Sequence, residues 1–180
     1  MIEAEFVEGN IVVFDKEQAR RLYSSGYYGK PLGISKPKEL SFDEPSVLDL
    51  IEALHLFDEG ELKVIKDGKE LSRDELEKLG KEYYARFSEL YTVYRDLRKR
   101  GFVVTSGIKF GSDFAVYKHG PGIDHAPFIV QVKTPKDAVH ATELVRSGRL
   151  ATTVRKNFII AIPDTVSGKV RYLVFSWMKF

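Results

Sequence analysis

The sequence predicts an α+β chain: a small N-terminal α+β domain over residues 1–80, then a C-terminal α/β domain over 81–180 whose mixed central sheet is flanked by helices. Three observations predict it. Short apolar runs such as "IEAEFV" (2–7) and "NFIIAI" (157–162) are interleaved with stretches of helical spacing such as "SVLDLIEALHLF" (46–57). From Phe102 the character changes and strand candidates dominate. The length of 180 residues suits one large domain or two small ones, with enough chain to bury a core.

Residues 2–7 and 10–14 read as strands around a Glu-Gly-Asn turn. Asp15 is placed to cap a helix through "KEQARRLYSSG", which Gly26 is expected to end. The Gly- and Pro-rich "YYGKPLGISKPKELSFDEP" reads as a loop, and "SVLDLIEALHLF" as a helix closed by Gly60. "ELKVIKDGKEL" has the Asp-Gly signature of a hairpin. Ser72 and Glu75 form a capping box opening a long helical stretch to Gly101, with an interruption expected at Gly80. Beyond it, strands are expected at 102–109, 113–118, 127–133, 157–162 and 170–176, with one helix at about 136–154.

Composition narrows the function classes. Hydrophobic content of 43% with 30% charged residues is that of a water-soluble globular chain. No apolar run approaches the ~20 residues that span a bilayer, and "MIEAEFVEGN" lacks the regions of a signal peptide, so a cytoplasmic location is expected. With no cysteine there is no thiolate ligand, disulfide or cysteine nucleophile. A net charge of +2 and pI near 8.6 decide nothing by themselves. Local clustering says more: "GIKFGSD", "VYKHG", "QVKTPK", "VRSGRLATTVRK" and "SGKVRY" scatter cations around glycines and turns, which raises nucleic acid as a partner.

"DFAVYKHGPGIDHAPFIV" (113–130) carries more chemistry than a turn requires. Alternation puts Phe114 and Val116 on one face of a strand, Ala115 and Tyr117 on the other. Tyr117 thus stands beside a loop with His119 and His125. Each residue alone has a plain structural reading: a strand-end aromatic, solvated loop histidines, and Lys156 complementing a helix dipole.

Taken together the motifs resemble a family. "YRDLRKRGFVVTSG", "GIKFGSDFAVY", "HAPFIV" and "RLATTVRKNFIIAI" occur in the order found in the catalytic domain of archaeal and eukaryotic tRNA-splicing endonucleases. The likeness extends, more loosely, to "ARRLYSSGYYGKPLG" and "LSFDEPSVLDLIEALHLFDEGELKV". The resemblance implies a catalytic triad of Tyr117, His125 and Lys156, with no cofactor and no metal. It implies cleavage of precursor tRNA at a bulge–helix–bulge by attack of the RNA's own 2′-oxygen, leaving a 2′,3′-cyclic phosphate and a 5′-hydroxyl. The chemistry suits the residue types. An imidazole donates protons near neutral pH, an ammonium sits well beside gathering phosphate charge, and a phenol of pKa ~10 either takes or orients the 2′ proton. His119 has no role in that pattern.

The resemblance also implies a pair of arginines stacking on a flipped bulge base. Arg149, seven residues before Lys156, fits the first position and Arg171 the second more loosely. It implies a tetrameric assembly, with "RYLVFSWMKF" (171–180) pairing across a dimer interface and an acidic loop inserted into a neighbouring subunit. Here that loop is "PDTVSGK", with Asp164 its single acid opposed by Lys169. A homotetramer would use Asp164 itself as oligomer contact; a heterotetramer would take the acidic loop from a structural subunit, and the weak charge leans to the latter. Two rivals stand beside this reading. A metal-dependent restriction-type nuclease is imitated by Asp113 and "QVK" at 131–133, although Gln131 replaces a carboxylate that Mg²⁺ would need. A non-catalytic RNA-binding or structural subunit would be expected to lack part of the triad.

Overall fold

The computed structural model describes residues 1–34, 41–124, 128–153 and 157–175, with the backbone alone for 150–153. The chain divides into two units, Met1–Phe87 and Ser88–Phe180. Residues 80 and 81, where the sequence reading sets its boundary, lie inside the last complete helix of the first unit. Both units pair helices with a mixed sheet, so the molecule is α+β.

In the first unit, strands β1 (Ile2–Val7) and β2 (Asn10–Val13) form a hairpin whose turn residues, Glu8 and Gly9, both have positive φ. Such a primed turn matches the natural twist of the strands. Asp15 caps α1 (Lys16–Gly26), its carboxylate accepting from the N–H of Gln18 at 2.8 Å. The helix ends at Gly26 as expected. Tyr27 takes the left-handed conformation, while Gly26 leaves room for the Tyr28 ring, which a Cβ there would meet at 2.5 Å. Two short strands follow, β3 (Lys30–Pro31) and β4 (Ser46–Leu48). β4 corrects the reading of 46–57 as all helix. Its residues pair with β2, and α2 (Leu50–Asp58) starts only after Asp49, which with Glu52 builds a capping box.

β5 (Leu62–Lys66) and β6 (Lys69–Glu70) are the expected hairpin about Asp67 and Gly68, both at positive φ. The sheet runs β3-β4-β2-β1-β5-β6, with β1 parallel to β5. Ile2, Ala4, Ile11, Val13, Leu48, Leu54, Leu62 and Val64 are buried as its core. Helix α3 (Arg73–Tyr83) opens on the Ser72–Glu75 capping box. The helical stretch does break, but at 84–86 rather than at Gly80. Gly80 is there for space: a Cβ would meet the Phe87 ring at 2.3 Å.

Helix α4 (Phe87–Lys99) leads into the second unit. Its sheet runs β11-β10-β9-β8-β7, from β7 (Val103–Ser106), β8 (Phe114–Tyr117), β9 (Phe128–Val132), β10 (Asn157–Pro163) and β11 (Val170–Phe175). Only β9 and β10 are parallel, joined by the crossover that contains α5 (Ala141–Thr153). Register assigns the faces. Phe114, Val130 and Ile159 share one, where the Tyr94 ring of α4 lies 5.9 Å from that of Phe114. Ile129, Phe158 and Ile160 form the core of the other, covered by Leu144 of α5 and by Phe110. The strand expected at 102–109 stops at Ser106 because Ile108–Phe110 turns as a short 3-10 helix. Among the described residues no helix is long and apolar enough to cross a membrane.

Candidate active site

Three of the strands finish or begin in one row. Val116 of β8 pairs with Phe128, the first residue of β9, and Phe128 pairs with Asn157, the first residue of β10. Neighbouring strands lie ~4.8 Å apart, so the row is about 10 Å wide. Tyr117 follows Val116 at its β8 end. His125 and Lys156 lie outside the described residues; in the sequence they are the third residue before Phe128 and the residue before Asn157.

Tyr117 is partly buried and shares the α5 face with Ala115, which pairs with Ile129. Its β7 partner is Val103, so Thr105, paired with Ala115, is its diagonal neighbour on that face. Burial holds the Tyr117 phenol above its ordinary range; a hydrogen bond with the Thr105 hydroxyl pulls the other way, and the charge of Asp124 raises it again. The side chain is therefore a neutral phenol at physiological pH.

The loop after Tyr117 is organised by Asp124. One carboxylate oxygen accepts from the N–H of Lys118 at 2.9 Å; the other accepts from His119 at 3.2 Å and Gly120 at 2.8 Å. Partial burial opposes the ionised form, but these three N–H groups outweigh it and hold the carboxyl below its usual range. The His119 side chain is exposed. Neither Asp124 nor Thr105 stood out in the sequence. The available signal for Asp124 was an Asp closing a Gly-Pro-Gly loop, a common arrangement for binding nearby backbone N–H groups; Thr105 needs the strand register and has none.

Arg149 is exposed on α5, and Arg146, one turn earlier, shares its outward face with Thr142 and Val145. Arg171 is exposed on β11 and shares the Tyr117 face, being paired with Ile162. Ile162 lies five residues along β10 from Asn157, about 16 Å by strand rise, so one chain does not bring Arg171 to the Tyr117 end. Asp164 turns its carboxylate onto its own turn: Ser167 Oγ donates at 2.6 Å, and the N–H groups of Val166 and Ser167 at 3.0 and 3.3 Å. These bonds, the Ser167 hydroxyl first, lower its pKa, with Arg171 adding to the effect.

The residues of the restriction-type layout have other engagements. Asp113 accepts from the N–H of Val132 at 2.7 Å, and Lys133 pairs with Glu143 at 2.8 Å, tying the start of α5 to the end of β9. Among the described residues no group of three carboxylate or imidazole side chains is placed to hold a metal ion.

Comparison with known proteins covers both units. The pattern of the tRNA intron endonuclease catalytic C-terminal domain matches residues 87–172, and that of the family's N-terminal domain matches residues 2–77. The chain is 49% identical to a tRNA-splicing endonuclease of Hyperthermus butylicus over 180 residues, 99% of either chain. It is 42% identical to that of Sulfurisphaera tokodaii, over 97% of this chain and 98% of the relative, and 42% identical to that of Sulfolobus acidocaldarius over 99% of each. With both domain patterns in sequence order and full-length likeness to these proteins, the chain belongs to the tRNA intron endonuclease family.

Proposed function

We propose that this chain is the catalytic subunit of a tRNA-splicing endonuclease, cutting precursor tRNA at the intron–exon junctions of a bulge–helix–bulge. The observation that carries the reading is the row Val116–Phe128–Asn157. Each of Tyr117, His125 and Lys156 is within three residues of a member of that row, and three residues reach at most ~10 Å. Three sequence-distant groups are thus tethered to one end of one sheet, the requirement for acting on a common phosphodiester.

In the reaction the substrate's 2′-oxygen forms a bond to the adjacent phosphorus as the bond from phosphorus to the 5′-oxygen breaks. His125 delivers a proton to the departing oxygen, and Lys156 faces the non-bridging oxygens. Tyr117, as a neutral phenol, orients the 2′-hydroxyl, whose proton passes to water. The products carry a 2′,3′-cyclic phosphate and a 5′-hydroxyl, and no metal takes part. Arg149 stacks on an unpaired base. Arg171 contacts the same RNA away from its own chain's scissile bond.

The exposed edge of β11 supports an assembly. It stands at the sheet edge and exposes Leu173, Val174 and Phe175 by 50, 58 and 37%, an apolar edge that calls for a partner strand. A second copy pairs there, and because Asp164 is turned onto its own loop, a structural subunit supplies the acidic loop that completes a heterotetramer.

The chain assembled with its structural subunit, given a bulge–helix–bulge RNA in EDTA, tests the chemistry. Cleavage leaving cyclic phosphate and 5′-hydroxyl ends is expected, and a strict need for Mg²⁺ or a 5′-phosphate product overturns it. His125→Ala is expected to lose ~10²–10⁴ in kcat; near-normal turnover removes the proposed acid. Arg149→Ala with unchanged RNA affinity and cleavage disposes of the stacking role.

A further inference from the structure

Between Tyr117 and His125 run seven residues, Lys118 to Asp124. Backbone bonding within them is sparse: the N–H groups of Ile123 and Asp124 reach Gly120 O, each at 3.2 Å, and Pro121 bridges to Asp124. Gly120 and Gly122 take φ values of 137° and 89°, backbone that other side chains adopt only under strain. What closes the loop is the Asp124 carboxylate, which gathers the three successive N–H groups of Lys118, His119 and Gly120. Such a concavity of consecutive N–H groups is a backbone nest, filled ordinarily by a bound anion and here by the chain's own side chain.

We infer that Asp124 is a positioning residue for the cleavage reaction: it latches the residue preceding His125 onto the residues following Tyr117, so that the chain leading to the proton donor starts from a fixed point beside the strand that carries the phenol. The inference rests on the endonuclease reading given above. Seven residues without this latch span anything up to ~23 Å, and the entropy of confining such a loop falls on every turnover. Displacement of a reacting group by about 1 Å is enough to cost ~10²-fold in rate. The latch lies at the surface: Lys118, His119, Gly122 and Ile123 are exposed, and Asp124 is only partly buried. The two carboxylate oxygens do different work, Oδ2 taking Lys118 alone and Oδ1 taking the other two. An asparagine therefore keeps at most part of the set, since its NH₂ faces an N–H donor at one end.

The experiment compares Asp124→Ala and Asp124→Asn with wild type, each assembled with the structural subunit, by steady-state cleavage of the bulge–helix–bulge RNA and by hydrogen exchange at the amides of 118–120. For Asp124→Ala, kcat is expected to fall ~10–100-fold with KM within about threefold, and exchange at the three amides to quicken at least tenfold. Asp124→Asn is expected to fall between alanine and wild type in both readouts, with a melting temperature close to wild type. Faster exchange with kcat unchanged in either variant overturns the positioning role. So does a KM rise that accounts for the whole loss, since the residue then serves RNA binding. Should the wild-type protein assembled with its structural subunit fail to cleave the RNA, the endonuclease reading falls, while the exchange data still report whether Asp124 latches the loop.

Discussion

In the N-terminal unit, acidic and hydroxyl side chains turn onto the helices they begin. Asp49 accepts from Ile51 while Glu52 reaches back to the N–H of Asp49, Ser72 and Glu75 do the same for α3, and Arg73 is held between Asp58 and Glu77. In the C-terminal unit the carboxylates turn onto irregular backbone instead. Asp124 holds 118–120, Asp137 holds Thr134, and Asp164 holds Val166 and Ser167. Capping strengthens elements that packing would form in any case. A carboxylate on loop N–H groups fixes backbone that has no ladder to fix it, which is where a fold must place chemistry that is not on a helix or strand. Changes in the first unit should therefore appear as lost stability, and changes in the second as lost turnover.

The largest stability effect expected is in the first unit's core. Leu54 is fully buried on α2, and Leu54→Ala should destabilise the protein by about 2–5 kcal/mol in urea titration. Turnover per folded molecule at a permissive temperature should stay within twofold of wild type. A large kcat loss in the folded variant would break the division of labour between the units.

Next comes Tyr117→Phe, which removes one hydroxyl at a partly buried strand end. As an orienting group it is worth ~10–100-fold in kcat, or about 1.4–2.7 kcal/mol, with little change in melting temperature. The pH dependence distinguishes orienting from base catalysis. Burial first, then the Asp124 charge, raise the phenol's pKa above ~10, so phenolate is below about 0.1% at pH 7. Wild type and Tyr117→Phe should then share the shape of their pH–rate profiles from pH 6 to 9. A tenfold rise per pH unit in wild type that flattens in the variant would restore the general-base role. Phenol titration by ¹³C NMR, assigned through Tyr117→Phe, gives the pKa directly.

A smaller effect is expected at Ser72, whose loss from the capping box should cost about 0.5–2 kcal/mol without touching turnover. Glu75 is held down to about 2, first by the Lys69 ammonium and then by Ser72. Because the folded-state pKa is depressed, this contribution is present above the ordinary glutamate pKa of ~4.3 and disappears as pH falls toward about 2. Wild type should thus lose more stability than Glu75→Gln across that acid window, and equal losses would show the box to be idle.

What the sequence made legible follows the same division. Elements fixed by local chemistry were readable: the Asp15 cap, the Asp67–Gly68 turn, the Ser72–Glu75 box and the strands of the second unit. Gly26 does end its helix, but Gly80 was misread because a glycine signals a chain end as readily as it signals space. At Gly80 the ring of Phe87 fills that space. β4 was hidden inside a helical pattern because Ser46–Leu48 owes its conformation to pairing with β2, a non-local partner. At the site, the family motifs pointed to Tyr117, but not to Thr105 or Asp124, whose relevance exists only once strand register and loop path are known. Arg171 was picked by its place after a turn, and the register sets it at the other end of the strands.

The smallest effect expected is at Asp164, and it sharpens the comparison between two loops built on one device. The Asp124 loop is wide and its closure falls to one carboxylate. The Asp164 turn joins antiparallel β10 and β11 and is closed also by backbone bonds, Asp164 N–H to Lys169 O and Gly168 N–H to Asp164 O, both 2.8 Å. Deleting the Asp164 carboxylate leaves that hairpin ladder in place, so Asp164→Ala should leave the melting temperature close to wild type. The purified chain, wild type or variant, should have the mass of a dimer through β11, and reach a tetramer only when a structural subunit is added. Light scattering decides it. A wild-type homotetramer that Asp164→Ala reduces to dimers would show the carboxylate leaving its own loop for a neighbour's, and would put Asp164, not a second gene product, at the interface.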